Sequence, residues 1–299
     1  MKYKKLGKSG LEVSEVSFGC MSLGDDQGAN TALLHRALDK GITFFDTADL
    51  YQKGENEVTV GKAFRGMRTS VILATKVGNQ WRPDGSGWDW NPSKAYILRA
   101  VEDSLKRLQT DYIDLYQLHG GTIEDPIAET IEAFELLRQQ GKIRAYGISS
   151  IRPNVIREYV NRSNISSVMM QYSLLDRRPE ETCFGLLQEH EIGVLARGSY
   201  AQGLLLGKPP KPYLNRSEEE VAAAAEAVNR LASESNRTAA EVAARFVLQH
   251  PAVTTAVLGI RTAAQLQEAL QVADAAPLPQ TAEDALKQIA QPNQYEQHR

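Results

Sequence analysis

Residues 42–57 read "ITFFDTADLYQKGENE". The apolar run ITFF leads straight into two aspartates and a tyrosine. Carboxylates and a phenol are costly to bury unless each finds a partner, so a buried strand rarely ends on them without reason. Such an exit is intelligible where several strands finish together around one site. The rest of the chain supplies those strands: "EVSFGCM" (15–21), "VILATKV" (71–77), "YIDLYQLH" (112–119), "AYGISS" (145–150), "VMMQYSL" (168–174), "GVLARGS" (193–199) and "TAVLGI" (255–260). Each run is too short for a helix and apolar on both faces, as parallel strands covered by helices are.

Helical patterns lie between these runs. "TALLHRALDKG" (31–41) puts Leu33, Leu34, Ala37 and Leu38 on one face and is expected to stop at Gly41. "SKAYILRAVEDSLKRL" (93–108) opens on Ser93 as N-cap, and "AETIEAFELLRQQGK" (128–142) stops at Gly141. Eight strands alternating with helices predict a (β/α)8 TIM barrel, one domain over residues 1–299. The competing arrangement, a doubly wound open sheet, loses ground because no G-x-G-x-x-G follows the first strand. The leading "YKKLGKSGLEV" (3–13) reads as a β-hairpin turning at Lys8–Gly10, placed to plug the bottom of the barrel. Segments 78–92 and 199–237 exceed ordinary connections, and long loops at strand C-termini are where a barrel keeps its specificity. The tail 276–299 reads as one short helix and then a frayed end.

Bulk properties narrow the partners. The chain of 299 residues carries a net charge of −3 without a long basic or acidic run, a poor match for nucleic acid or an anionic membrane surface. Cys20 and Cys183 stand far apart with no C-x-x-C, which argues against a disulfide framework or a zinc site; no metal is expected. Charges at the N-terminus occupy the place of a signal peptide's apolar stretch, and no run is long enough to span a membrane. A soluble, cytoplasmic protein is the expectation.

In a barrel, chemistry gathers at the carboxyl ends of the strands. Those positions hold Asp46 and Tyr51 after the second strand, Lys76 on the third and His119 on the fourth. Ser149, Ser150 and Gln171 follow on the fifth and sixth. Lys76 sits in an otherwise buried strand and needs a counter-charge, for which Asp46 on the neighbouring strand is the natural choice. A phenol held beside an ammonium gives up its proton more readily, which makes Tyr51 a proton donor. His119 is placed to donate a second hydrogen bond to the same substrate oxygen. Each group alone is well explained as a structural feature: a buried ion pair, a bonded tyrosine, a satisfied histidine. Four of them on adjacent strand ends favour a catalytic site.

The chain resembles the aldo-keto reductase superfamily, in its compact bacterial branch. Seven ordered segments carry the resemblance: "LGKSGLEVSEVSFGCMSLG" (6–24), "DTADLYQKGENEVTVGKAF" (46–64), "ILATKVG" (72–78), "TDYIDLYQLH" (110–119), "GKIRAYGISS" (141–150), "ARGSYAQGLLLGK" (196–208) and "GIRTAAQLQEAL" (259–270). It implies an oxidoreductase that reduces aldehydes and ketones with NADPH, yielding NADP+, with Asp46, Tyr51, Lys76 and His119 as the catalytic set. It further implies that Ser149 and Gln171 hold the nicotinamide carboxamide, with Ser150 standing where relatives often have asparagine. Arg197, Gly198 and Met21 belong near the nicotinamide and Lys208 near the pyrophosphate. Arg261 is the implied partner of the adenosine 2′-phosphate, with Gln265 and Glu268 near the adenine ribose. Ser199 and Tyr200 replace a common Pro-Leu, and Ala269 replaces a common asparagine.

All three tryptophans, Trp81, Trp88 and Trp90, fall on the loop after the third strand. Trp81 and Trp88 are expected to line a pocket for an apolar or aromatic aldehyde, above a floor of Met21 and Tyr51. Packing of the loop against the barrel rim explains them equally well. The expected partner is a small carbonyl compound, the expected state a monomer. A second functional reading is a cofactor-binding regulatory subunit resembling the potassium-channel β-subunits, which share the fold and the four residues.

Overall fold

The computed structural model describes residues 1–299. Twelve strands follow in order: β1 (Tyr3–Lys5), β2 (Glu12–Ser14), β3 (Val16–Gly19), β4 (Phe44–Asp46), β5 (Ile72–Val77), β6 (Asn79–Trp81), β7 (Trp88–Trp90), β8 (Ile113–Leu118), β9 (Ile143–Ser149), β10 (Ser167–Gln171), β11 (Gly193–Arg197) and β12 (Val253–Gly259). Ten helices accompany them: α1 (Gln27–Asp39), α2 (Glu55–Ala63), α3 (Lys94–Leu108), α4 (Ile127–Gln139), α5 (Pro153–Arg162), α6 (Cys183–Glu189), α7 (Glu218–Glu234), α8 (Ala239–Gln249), α9 (Ala263–Asp274) and α10 (Gln280–Ile289). Eight strands close into an all-parallel barrel in the order β10-β11-β12-β3-β4-β5-β8-β9, with helices between them. This is the expected (β/α)8 TIM barrel, and each of the eight apolar runs overlaps one of its strands, although β9, β10 and β12 begin one or two residues before their runs.

The element ends are capped by local chemistry. Ser93 caps α3, its hydroxyl accepting from the Tyr96 N–H. Helix α1 starts four residues earlier than its apolar pattern, because Asp26 accepts from the Ala29 N–H at 3.0 Å and opens the first turn. Gly41 and Gly141 follow their helices with φ of +92° and +73°, the left-handed turn that glycine permits. The apolar runs overshoot several strands at their C-terminal ends. "VMMQYSL" continues to Leu174, whereas β10 ends at Gln171, because the chain after the strand is buried loop.

Two cores exist. The larger one lies between barrel and helices; the smaller one fills the barrel itself. Strands β1 and β2 pair antiparallel, and the hairpin drives Leu6, Leu11 and Val13 against the inward-facing Phe44, Leu115 and Leu195. Gly7 makes this approach possible. Its φ is +49°, and a Cβ there would stand 2.3 Å from the Ser166 carbonyl oxygen and 2.9 Å from the Gly193 nitrogen. Ser166 and Gly193 mark the N-terminal ends of β10 and β11, so the hairpin plugs the face opposite the strand C-termini.

Two expectations need correction. Segment 78–92 is a second antiparallel hairpin, β6 with β7, registering Trp81 against Trp88 and Asn79 against Trp90. The tail does not fray after α10: it is strapped to the loops beyond β10 and β11. Asn293 accepts from the Arg177 N–H at 2.8 Å, Arg216 donates to the Gln291 carbonyl at 2.6 Å, and Tyr295 is buried beneath the Arg178 guanidinium. The Glu181 carboxylate pairs with Arg299. These partners sit from 75 to 118 residues away in sequence, which local pattern cannot register. No helix is long and apolar enough to cross a membrane.

Candidate active site

Asp46 is the last residue of β4 and pairs in register with Ala74 of β5, two positions before Lys76. Lys76 therefore reaches the carboxyl end of the barrel with its side chain 1 % exposed, and it needs three partners for three ammonium protons. It finds them. Nζ donates to Asp46 Oδ2 at 2.6 Å, to the Thr47 carbonyl at 2.7 Å and to the Tyr51 hydroxyl at 3.3 Å. Gln117 of β8 donates to the other Asp46 oxygen at 3.4 Å. Burial alone would pull the lysine down, but Asp46 and Tyr51 outweigh it and hold Lys76 above its usual value, so the ammonium keeps its proton.

Tyr51 stands on a tight turn. Gln52 and Lys53 follow it with φ of +50° and +56°, then Gly54 at +92°. Two consecutive non-glycine residues in the left-handed region are strained, and the surroundings must hold them. Gln52 donates to the Leu23 carbonyl and accepts from Asn56, which also donates to the Cys20 carbonyl. The turn is thus tied to the segment after β3, and Tyr51 is aimed at Lys76.

His119 follows β8, its N–H bonded to the Val77 carbonyl at 2.8 Å. Its ring meets the Tyr51 ring edge-on, centroids 5.9 Å apart at 81°. Burial, reinforced by the cations of Lys76 and Arg197, pushes the imidazole down to about 3. At neutral pH His119 is uncharged and keeps a single N–H to donate. The four groups from the sequence thus meet at one end of the barrel, at the base of a cavity of about 650 Å³.

The cavity wall is built by the loops after β3, β4, β5, β8 and β9. Met21, on the turn after β3, lies exposed at its lip, with Trp88 and Trp90 of β7 opposite. The Trp90 ring occupies a slot left by two glycines: a Cβ on Gly78 would lie 2.5 Å from it, and one on Gly120 3.4 Å. Its indole N–H donates to the Asp125 carboxylate at 2.9 and 3.0 Å. Trp81 departs from expectation. It shares the hairpin face with Trp88 but does not line the cavity, because the ring turns toward the Lys53 ammonium 5.3 Å from its centroid.

Ser149, Ser150 and Arg197 also line the cavity. Gln171, on the neighbouring strand end, has its amide engaged at both ends: Nε2 donates to the Tyr213 hydroxyl at 2.7 Å and Oε1 accepts from Arg197 at 3.1 Å. Gly198 turns with φ +74°, and the loop continues through left-handed Ala201, Gln202 and Gly203, across which Lys208 folds to reach the Gln202 carbonyl at 2.8 Å. The Ser199 and Tyr200 hydroxyls on this loop are buried and find no partner within the protein. Beyond β12, Arg261 is exposed, and its guanidinium makes no bond; Gln265 folds back to accept from the Arg261 N–H at 2.9 Å. Burial raises the half-buried Glu268 carboxyl on the same helix. Gln171, Gly198, Lys208, Arg261, Gln265 and Glu268 lie outside the cavity, along the loops after β10, β11 and β12.

Sequence reasoning missed Asn79, Thr122, Ile151 and Arg152, which also line the cavity, and Tyr213, which holds Gln171. Asn79 and Thr122 had a signal, since each lies within three residues of Lys76 or His119. Tyr213 had none: it comes from the middle of the 199–237 connection.

A family model described as "Aldo/keto reductase family" matches residues 15–291. The chain is 50 % identical over 308 residues to the Bacillus subtilis (strain 168) protein named "Uncharacterized oxidoreductase YqkF", covering 100 % of both. Among solved structures it is similar to aldo-keto reductase AKR11C1 from Bacillus halodurans in its holo form, with a TM-score of 0.95 and 52 % identity, covering 100 % of this chain and 99 % of that one. It is also similar to an aldo/keto reductase from Klebsiella pneumoniae in complex with NADP and acetate, with a TM-score of 0.81 and 26 % identity over 100 % and 99 % of the two chains.

Proposed function

The chain belongs to the aldo/keto reductase family, and from that premise we propose that residues 1–299 form one catalytic domain that reduces aldehydes and ketones to alcohols with NADPH, Tyr51 giving the proton. One observation carries the reading. A fully buried ammonium, Lys76, is bonded at once to a carboxylate (2.6 Å) and to a phenol (3.3 Å), beneath a cavity that a neutral imidazole also faces. A structural ion pair would have no need of the phenol, nor of the cavity.

The cofactor would supply a hydride to the carbonyl carbon. The residues present suit such a group. Arg197 and Arg261 have no carboxylate partner among the ion pairs, Gly198 clears a close backbone approach, and the Ser199 and Tyr200 hydroxyls are buried without a bond. Ser149, Ser150, Gln171 and Met21 would hold the nicotinamide end, Gln171 after releasing its bonds to Tyr213 and Arg197. Lys208, Arg261, Gln265 and Glu268 lie along the loops where the phosphates and adenosine would follow. Arg261, a free guanidinium, is the residue suited to a 2′-phosphate and so to NADPH over NADH.

The protein's own part is proton and charge management. As the carbonyl carbon gains hydride, its oxygen becomes anionic, and Tyr51 transfers its hydroxyl proton there. The phenolate left behind faces the Lys76 ammonium, which Asp46 and the Thr47 carbonyl hold in place. His119, neutral, donates its N–H to the same oxygen and sets the carbonyl's orientation. Donors fixed before reaction favour the transition state over the ground state, because the charge they meet exists only there. Water re-enters through the cavity mouth to return the proton to Tyr51.

Tyr51→Phe keeps the ring and removes the proton. Turnover of 4-nitrobenzaldehyde with NADPH, followed by loss of reduced cofactor, should fall by at least about 10²–10³ while cofactor affinity stays near wild type. A Phe variant as active as the wild type would remove Tyr51 from this role. Wild-type protein that binds NADPH and turns over no aldehyde would point to the regulatory-subunit reading. Equal rates with NADH would overturn the cofactor preference.

A further inference from the structure

The cavity wall holds three cations and no carboxylate. Lys76 is neutralised by Asp46, and Arg197 leans on Gln171 at the side suited to the cofactor. The third, Arg152, follows β9, two barrel strands from β5 and its tryptophan hairpin, and forms no ion pair in the protein. It is oriented all the same. Its Nη1 donates to the Gly121 carbonyl and its backbone N–H to Ser150 Oγ at 3.1 Å, so the half-buried side chain is pinned while Nε and Nη2 make no bond. A guanidinium held by one nitrogen presents the remaining edge as a planar two-donor fork, the shape that matches a carboxylate.

Arg152 and Ile151 also line a second chamber of about 460 Å³, walled by the strapped tail. The chambers meet at these two residues. A substrate whose carbonyl lies over Tyr51 therefore has somewhere to send its far end, past the free edge of Arg152 and toward solvent. The other cation there, Arg178, is committed to Asp176 at 2.7 and 2.8 Å. The one carboxylate on that chamber is Glu296, exposed on the tail and free to turn away; near Arg152 stand exposed Glu124 and Asp125, whose carboxylate is committed to the Trp90 indole and to Thr122.

Building on the carbonyl-reducing reading above, we propose that Arg152 is a specificity residue and that the preferred substrates are semialdehydes, carbonyl compounds carrying a carboxylate at the end remote from the carbonyl. The exposed apolar groups Met21, Trp88 and Ile151 along the cavity suit the carbon chain between the two ends.

The test compares succinic semialdehyde and 4-carboxybenzaldehyde with 4-nitrobenzaldehyde, using NADPH and the full chain. For wild type against Arg152→Gln, the readout is the ratio of kcat/KM for each acid to that for the neutral aldehyde. Loss of a charge-assisted bidentate pair should lower that ratio about tenfold to a hundredfold, mainly through KM. Arg152→Lys, which keeps the charge and loses the fork, should fall between the two. An unchanged ratio, or equal losses on acid and neutral substrates in both variants, overturns the assignment. Absence of turnover on all three aldehydes by the wild type would instead overturn the underlying reductase reading.

Discussion

His119 shows what burial does to one residue. Its imidazole is pushed down to about 3, while in the unfolded chain it titrates near 6.5. Between those values the unfolded state binds a proton that the folded state refuses, so stability falls as pH drops through this window and is free of the penalty above it. From pH 7 to pH 5 this one group should withdraw about 2 kcal/mol. His119→Gln removes the titration, so the apoenzyme variant should lose about that much less than wild type over the same step in chemical denaturation. Identical losses would show that the ring is not held neutral by burial. Lys76 behaves in the opposite sense. A raised lysine is stabilising below its unfolded value and loses that contribution only as pH rises beyond it, well outside the working range. The site therefore keeps a charged amine beside an uncharged imidazole across neutral pH, the pairing that the proposed proton transfer from Tyr51 would use.

At the scale of elements, the β6–β7 hairpin decides the cavity's outer wall, and one glycine decides where the hairpin sits. Gly78 has φ +125°, with the Trp90 ring where a Cβ would go. Gly78→Ala should cost about 1–3 kcal/mol from the backbone alone, plus the clash with the ring. The two causes separate in a double-mutant cycle: with Trp90→Ala the clash term disappears and the penalty should shrink to the backbone part. A penalty of the same size in both backgrounds would mean that the ring does not press on Gly78. The hairpin also marks the limit of pattern reading. Its strands are three residues each, the alternation is too short to register, and three tryptophans in ten positions look alike in sequence. Only the Lys53 ammonium and the slot beneath Gly78 and Gly120 tell Trp81 apart from Trp90.

For the whole molecule, closing the barrel leaves an open end that must be filled. Leu6 fills it, fully buried against the layer of inward side chains at the face opposite the candidate site. Leu6→Ala should cost about 2–5 kcal/mol in urea unfolding, since a cavity inside a closed barrel cannot collapse. The kcat/KM of the folded fraction should stay near wild type, because the deletion lies at the far end from Tyr51. A loss below about 1 kcal/mol would show that the plug contributes little to the core.

The eight apolar runs, their alternation with amphipathic helices and the glycine stops were legible without coordinates, because burial on both faces leaves a continuous imprint in each strand and one-sided burial leaves a period in each helix. The polar groups at strand exits were legible for the same reason: they contradict that imprint. The chain alone thereby determined the barrel and nominated Asp46, Tyr51, Lys76 and His119. Tertiary structure decided everything that depends on distance between remote segments. It brought Lys76 within bonding reach of both Asp46 and Tyr51, turned Trp81 away and bound the tail across the loop after β10. It also left Arg152, on the cavity wall, with one edge of its guanidinium unbonded. Such contacts join residues far apart in sequence and chosen by shape, and no local periodicity encodes shape.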